Sequence, residues 1–339
     1  MPNLAATGLI AFWTSLSVAA IACKPVLQLL RSLKAKQVIS QHVPEGHQVK
    51  VGTPNMGGLI VIAGFLVAIP LTASGADGWF AWLSFAMFAA LGFADDYLVP
   101  RWKPGSRGID WLPKLGLQVL CVVPTLVPLI GQPGPALGLL FLTLFFANAF
   151  NFADGLDALA GGMLLGLSAT LAGFSVWTGD PLCFALALAL LGGIVPFLFV
   201  NAPPARVFMG DTGSMPIGAM LGLIVFRLAT QPPWLASSDL GASGPESSAN
   251  LALWYAALIA ASGMMIGELV PVPMQILAVK LLKRRIFPFT PIHHAFEKAG
   301  WKETRVVWSF VLTQLLFSAL AVSLAVLATG AVSLGGVTK

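Results

Sequence analysis

Ten runs of apolar residues, each about as long as a bilayer is thick, constrain this chain more than any other feature. Crossing the hydrocarbon core takes about 20 predominantly apolar residues in a helix. The runs fall near 4–23, 56–74, 79–97, 112–131, 136–152, 158–177, 182–200, 214–230, 250–283 and 306–332. The expected fold is therefore all-α: a polytopic membrane protein with about ten transmembrane helices, forming one integral domain over residues 1–339. Composition agrees. Of 339 residues, 57% are hydrophobic and only 10% are charged, whereas a soluble domain carries roughly a quarter charged residues. The first run begins near Leu4 without a basic leader or a small-residue cleavage site, which makes it a span rather than a signal peptide. The ninth run is too long for one straight crossing, since a helix over 250–283 would extend roughly 51 Å. It contains Pro271 and Pro273, which should kink or break it. Cys23, Cys121 and Cys183 show no metal-ligand or redox spacing and read as free packing residues.

Charge assigns the sides. Threading the chain through ten spans puts every lysine and arginine on one face except Arg227, inside a span, and the terminal Lys339. Basic loops mark the cytoplasmic side. The expectation is an N-out, C-out membrane protein, with cytoplasmic segments near 24–55, 98–111, 152–157, 201–213 and 284–305. Basic loops beside spans also attract anionic lipid, so the net charge of +5 calls for no nucleic-acid partner.

The unusual polar residues gather on that same face. Gly52-Thr53-Pro54-Asn55-Met56-Gly57-Gly58 leads into the second span, and Asp95-Asp96 closes the third. Asn148, Asn151, Asp154 and Asp157 follow the fifth span into the sixth. Asn201, Phe208 and Gly210-Asp211-Thr212-Gly213-Ser214 lie between the seventh and eighth, and Pro291-Ile292-His293-His294 between the ninth and tenth. Ionisable groups at a membrane boundary are costly, so function is their default reading. Plain readings stand beside it. Asp95-Asp96 can be a solvated helix end, although carboxylates there oppose the macrodipole. The 148–157 stripe can be interhelical glue, the Asp211 segment a helix cap, and Glu268 either internally paired or facing a polar cleft.

Carboxylates, basic side chains and a membrane boundary suit phosphoryl transfer with one lipid-soluble partner, a reaction that depends on positioning and charge neutralisation. Beside the other carboxylates, Asp211 is a candidate Mg²⁺ ligand, because Mg²⁺ takes hard oxygen donors and substrate phosphates. A transporter or lipid-binding protein is the alternative class, and one-sided clustering argues against it.

The strings GTPNMGG, GFADDY, NAFNFADGLDALAGG, NAPPARVFMGDTGSM and PIHHAFEKAGWKETRVV resemble, in order, the polyprenyl-phosphate N-acetylhexosamine-1-phosphate transferases. They look most like the branch that acts on UDP-MurNAc-pentapeptide, and the resemblance spans about residues 50 to 310. His293-His294 followed by Gly300-Trp301 favours that branch over relatives that use UDP-N-acetylglucosamine or another UDP-sugar. The resemblance implies transfer of phospho-MurNAc-pentapeptide to undecaprenyl phosphate with Mg²⁺, giving lipid I and UMP in peptidoglycan synthesis. It implies catalytic roles for Asp95, Asp96, Asp211 and His293, with Asp211 on the metal. Asn151, Asp154, Asp157, Asn201 and Phe208 would form the nucleoside pocket; Gln275 and His293 would line the sugar and diphosphate side. Lys50, Thr53, Lys114, Asn148 and His294 complete the expected substrate contacts. Three positions depart from the family pattern. Val51 stands where a basic residue is usual, Val99 where a lysine is, and Ala295 where a third histidine is. Arg101 or Lys103 is left to supply the charge missing at Val99. A homodimer stays open.

Overall fold

The computed structural model describes residues 4–33, 52–73, 75–103, 105–106, 108–235 and 245–330. Among them every regular element is a helix. The chain runs through α1 (Leu4–Ser32), α2 (Leu59–Thr72), α3 (Ala76–Trp102), α4 (Trp111–Leu129), α5 (Pro133–Ala153), α6 (Leu159–Thr178), α7 (Pro181–Asn201) and α8 (Gly210–Thr230). It continues through α9 (Pro245–Ala261), α10 (Gly263–Leu269), α11 (Pro271–Leu282), α12 (Ile292–Lys298) and α13 (Glu303–Ala328). Among the described residues nine helices are long and apolar enough to cross a membrane, with α10 and α11 together counting as one, while α2 and α9 are shorter apolar helices. Each of the ten expected spans corresponds to helix, and the protein is a multi-pass, all-α membrane protein.

The ninth run breaks twice. Pro271 and Pro273 have no N–H to donate, and α10 gives way to α11 at Val270, the residue ahead of Pro271. A second break at Ser262 ends α9. There the buried Gln314 side chain of α13 donates to the Ala261 carbonyl at 3.1 Å, so a helix end inside the bundle keeps a partner.

The core is organised around α8. Of its most apolar stretch 89% is buried, against 28% for α1 and 22% for the α10–α11 segment, so α8 is the central post and the others face lipid on one side. Gly218 and Gly222 let it approach α5 closely: a Cβ on either would stand 2.3 or 2.5 Å from the Phe146 or Leu142 carbonyl oxygen. Small residues spaced four apart are the usual device for bringing membrane helices together. α3 packs on another side of α8, and α1, α2 and α6 pack on α7.

The polar groups divide between the two ends of α8. At its C-terminal end Arg227 donates to Asp180 and Asp77, each at 2.9 Å. Asp180 also caps α7 by accepting the Leu182 and Cys183 N–H groups. The three cysteines are free thiols, with Cys121 and Cys183 buried.

Candidate active site

The N-terminal end of α8 meets α3, α4 and α5 in an acidic centre. Asp95 and Asp96 sit on a five-residue π-helical turn, Ala94–Leu98, within α3. Such turns recur at functional sites because the extra residue re-aims the side chains beside it. Asp95, 5% exposed, accepts the Ile109 N–H at 2.7 Å and the Lys114 ammonium at 3.2 Å. Asp96 accepts the Thr212 N–H at 2.8 Å, the Thr212 hydroxyl at 2.6 Å and the Asn55 amide at 2.9 Å. Asp211 lies in the first turn of α8, where the helix end favours negative charge. It accepts the Asn151 amide at 2.7 Å and pairs with Lys114. Asn151 also donates to the Ser214 hydroxyl at 2.8 Å.

One oxygen from each of Asp95, Asp96 and Asp211 lies within 4.8 Å of the others. With all three ionised, Lys114 leaves two negative charges uncompensated. A divalent cation matches that deficit, and the donors are hard oxygens. Two further features leave a place for one. Asn55 Oδ1 is buried and has no hydrogen-bond partner among the described residues. Gly210, at φ +72°, brings its bare Cα up to the same oxygens: a Cβ there would stand 2.6 Å from both that oxygen and Asp96 Oδ2 and would crowd them. The residues present therefore fit a metal ion.

The remaining expected residues form a layer around this centre. Asp154 accepts the Gly210 N–H at 3.2 Å. Burial, and after it the Asp211 charge, pushes the Asp154 carboxyl well above the usual carboxylate range. Asp157 accepts the Ala205 N–H at 2.9 Å, and its own N–H donates to Glu303 at 2.9 Å. Buried Asn201 accepts the Ala158 N–H at 2.8 Å and donates to the Val207 carbonyl at 2.9 Å. Ala158 is left-handed, φ +65°, a strain of about 1–2 kcal/mol in a residue with a Cβ, and the Asn201 bond helps to hold it. The backbone of half-buried Phe208 bonds to Pro54 at 2.9 Å and to Gly57 at 2.6 Å. That ties its loop to the segment carrying Thr53.

Other expected residues are engaged within the protein. Asn148 donates to Gln118 at 2.9 Å and to the Leu144 carbonyl at 2.8 Å, linking α5 to α4. Gln275 holds the loop after α11 by accepting the Ile286 and Phe287 N–H groups at 3.1 and 3.0 Å. His293 Nδ1 meets Glu268 at 2.8 Å, so Glu268 is internally paired, and His294 Nδ1 meets Glu297 at 2.7 Å. Lys50 lies outside the described residues. Arg101 and Lys103 are exposed, and Arg101 stacks on Tyr97 at 6.0 Å; among the described residues the cation touching the carboxylates is Lys114. Asn55, Thr212, Gln118 and Glu303 join the site without having been singled out from sequence. For Asn55 and Thr212 the signal was their place inside the Gly-rich and Gly-Asp-Thr-Gly strings. For Glu303 it was its place inside the string that begins at Pro291, and for Gln118 there was none.

Fold and site together define a multi-pass membrane protein with a cation-ready carboxylate centre at one end of its bundle. The family model described as glycosyl transferase family 4 matches residues 79–229, a stretch that holds Asp95, Asp96, Lys114, Asn151, Asp154 and Asp211. The phospho-N-acetylmuramoyl-pentapeptide-transferase of Heliobacterium modesticaldum is 33% identical over 325 residues, covering 88% of this chain and 92% of that protein. That of Pelotomaculum thermopropionicum is 32% identical over 336 residues, 91% of this chain and 95% of its own. That of Synechococcus elongatus is 35% identical over 341 residues, 91% and 86%. The chain belongs to the phospho-N-acetylmuramoyl-pentapeptide-transferase family and is a phosphosugar transferase.

Proposed function

We propose that this chain moves the phospho-MurNAc-pentapeptide group from UDP-MurNAc-pentapeptide to undecaprenyl phosphate, producing lipid I and UMP at the cytoplasmic face of a bacterial inner membrane. The observation that carries this reading is the meeting of Asp95, Asp96, Asp211 and Lys114 at one end of the bundle, in a chain of this family. A phosphate oxygen of the lipid attacks the phosphorus bonded to the sugar. The bond from that phosphorus to the bridging oxygen breaks, and the electron pair leaves with UMP. A phosphate monoester is mostly dianionic at pH 7, so the nucleophile needs little help from a base, and Asp95 or Asp96 serves at most to take a residual proton.

Asp211, with Asp95 and Asp96 beside it, would hold Mg²⁺, which when bound shields the repulsion between the two phosphate groups and stabilises the departing nucleotide. Asn151 fixes Asp211 in place, and Lys114 holds Asp95 and Asp211 together. The loop carrying Phe208 and the 154–157 turn provide the nucleoside side, with Phe208 available to stack on uracil. Basic loops on the same face support the cytoplasmic assignment.

The test uses purified protein with undecaprenyl phosphate and Mg²⁺, offered UDP-MurNAc-pentapeptide and UDP-N-acetylglucosamine separately, with UMP release followed. UMP from the first donor alone is expected. UMP from the second alone would move the protein to the polysaccharide branch, and UMP from neither would overturn the reading.

A further inference from the structure

A second buried polar constellation lies outside the carboxylate centre. Glu268 and His293 are each 0% exposed, and they meet at 2.8 Å through Glu268 Oε2 and His293 Nδ1. Glu268 stands on α10, the short helix between the two breaks of the ninth run. His293 opens α12 from the far side of the loop that Gln275 braces. An ion-pairing group inside an apolar helix is expensive to bury, yet this pair is only half satisfied. Glu268 Oε1 and His293 Nε2 are both buried, and neither has a hydrogen-bond partner among the described residues.

The unpartnered nitrogen has a direction. A Cβ on Gly155 would stand 2.4 Å from His293 Nε2 and 3.0 Å from its Cε1. The ring edge therefore lies directly against the turn between Asp154 and Asp157. With Nδ1 held by Glu268, Nε2 is the only ring nitrogen that can meet a ligand at this turn. A carboxylate behind an imidazole fixes both the ring's orientation and the nitrogen it offers.

We propose that Glu268 is a positioning residue of the transfer reaction, holding His293 so that Nε2 faces the 154–157 turn. Through this contact the broken ninth run reports to the nucleotide side of the site. The proposal rests on the transferase reading above. It adds a residue whose effect passes entirely through His293.

The experiment compares Glu268→Ala, Glu268→Gln, His293→Ala and the double variant in the UMP-release assay, with melting temperatures to confirm folding. Glu268→Ala should lower kcat about 100-fold while changing the KM for the nucleotide sugar less than about threefold. Glu268→Gln keeps an oxygen that accepts from Nδ1–H and should recover about tenfold of that loss. In the His293→Ala background, removing Glu268 should cost nothing further, because residues that act as a unit are non-additive. Independent, multiplicative losses in the double variant would overturn the proposal, as would a folded Glu268→Ala protein with wild-type kcat.

An inactive wild type would count against the transferase reading and not against this one. The positioning claim is then read by ¹⁵N NMR of labelled histidine, a spectrum with only four histidines in the chain. His293 should show a protonated Nδ1 that loses its fixed shift in Glu268→Ala. Unchanged histidine shifts would overturn it.

Discussion

Gly213→Ala puts the packing of the site to the test with a single methyl group. Gly213 crosses Gly58 so closely that its Cβ would stand 2.5 Å from the Gly58 Cα. Non-bonded carbons rest about 3.5–4.0 Å apart, so α8 and the segment ahead of α2 must separate by about 1 Å or more. Overpacking of this kind costs about 1–3 kcal/mol, which leaves the bundle folded. The separation falls two residues from Asp211 and one from Thr212, whose N–H and hydroxyl both hold Asp96. A 1 Å misplacement of reacting groups costs about 100-fold in rate. UMP release at saturating donor should therefore fall by about 100-fold, with only a modest drop in melting temperature. Gly173→Ala is the control: it lies in α6, with nothing within 4 Å of its Cβ position, and should leave turnover alone. A Gly213→Ala protein with wild-type turnover would refute the claim that this crossing sets the geometry of the carboxylate centre.

Three other outcomes are expected. Asp211→Asn should abolish turnover, and EDTA should do the same to the wild type until Mg²⁺ is restored; turnover surviving either treatment would remove the metal role. Phe208→Ala should mainly raise the KM for the nucleotide sugar, and an unchanged KM would take Phe208 out of the nucleoside pocket. Arg227→Met, at the other end of α8, leaves the buried Asp180 without its ion pair and should cost about 3–5 kcal/mol of stability. Its kcat should match wild type, so a lowered kcat in the folded variant would show that the two ends are coupled.

The spans were legible because bilayer thickness acts on local composition alone. The break before α11 was also legible, since Pro271 and Pro273 announce themselves. The break at Ser262 was not: it depends on Gln314, more than fifty residues away, to satisfy the Ala261 carbonyl. The acidic centre could be read as a set of candidates because costly residues segregate to one face. Its wiring could not. That Lys114 reaches both Asp95 and Asp211 follows from how α3, α4 and α8 dock, as does the pairing of Asn148 with Gln118. Nor does any local pattern announce the π-helical turn beneath Asp95 and Asp96.

The carboxylates and their lysine are shared among α3, α4 and α8, and α8 is the element the others surround. During synthesis, a chain that has inserted only its first seven helices holds Asp95, Asp96, Lys114 and Asn151 but lacks the residue that draws them together. No fragment ending before Asp211 contains the assembled three-carboxylate centre. Chemical competence and completion of the bundle's interior arrive with the same helix.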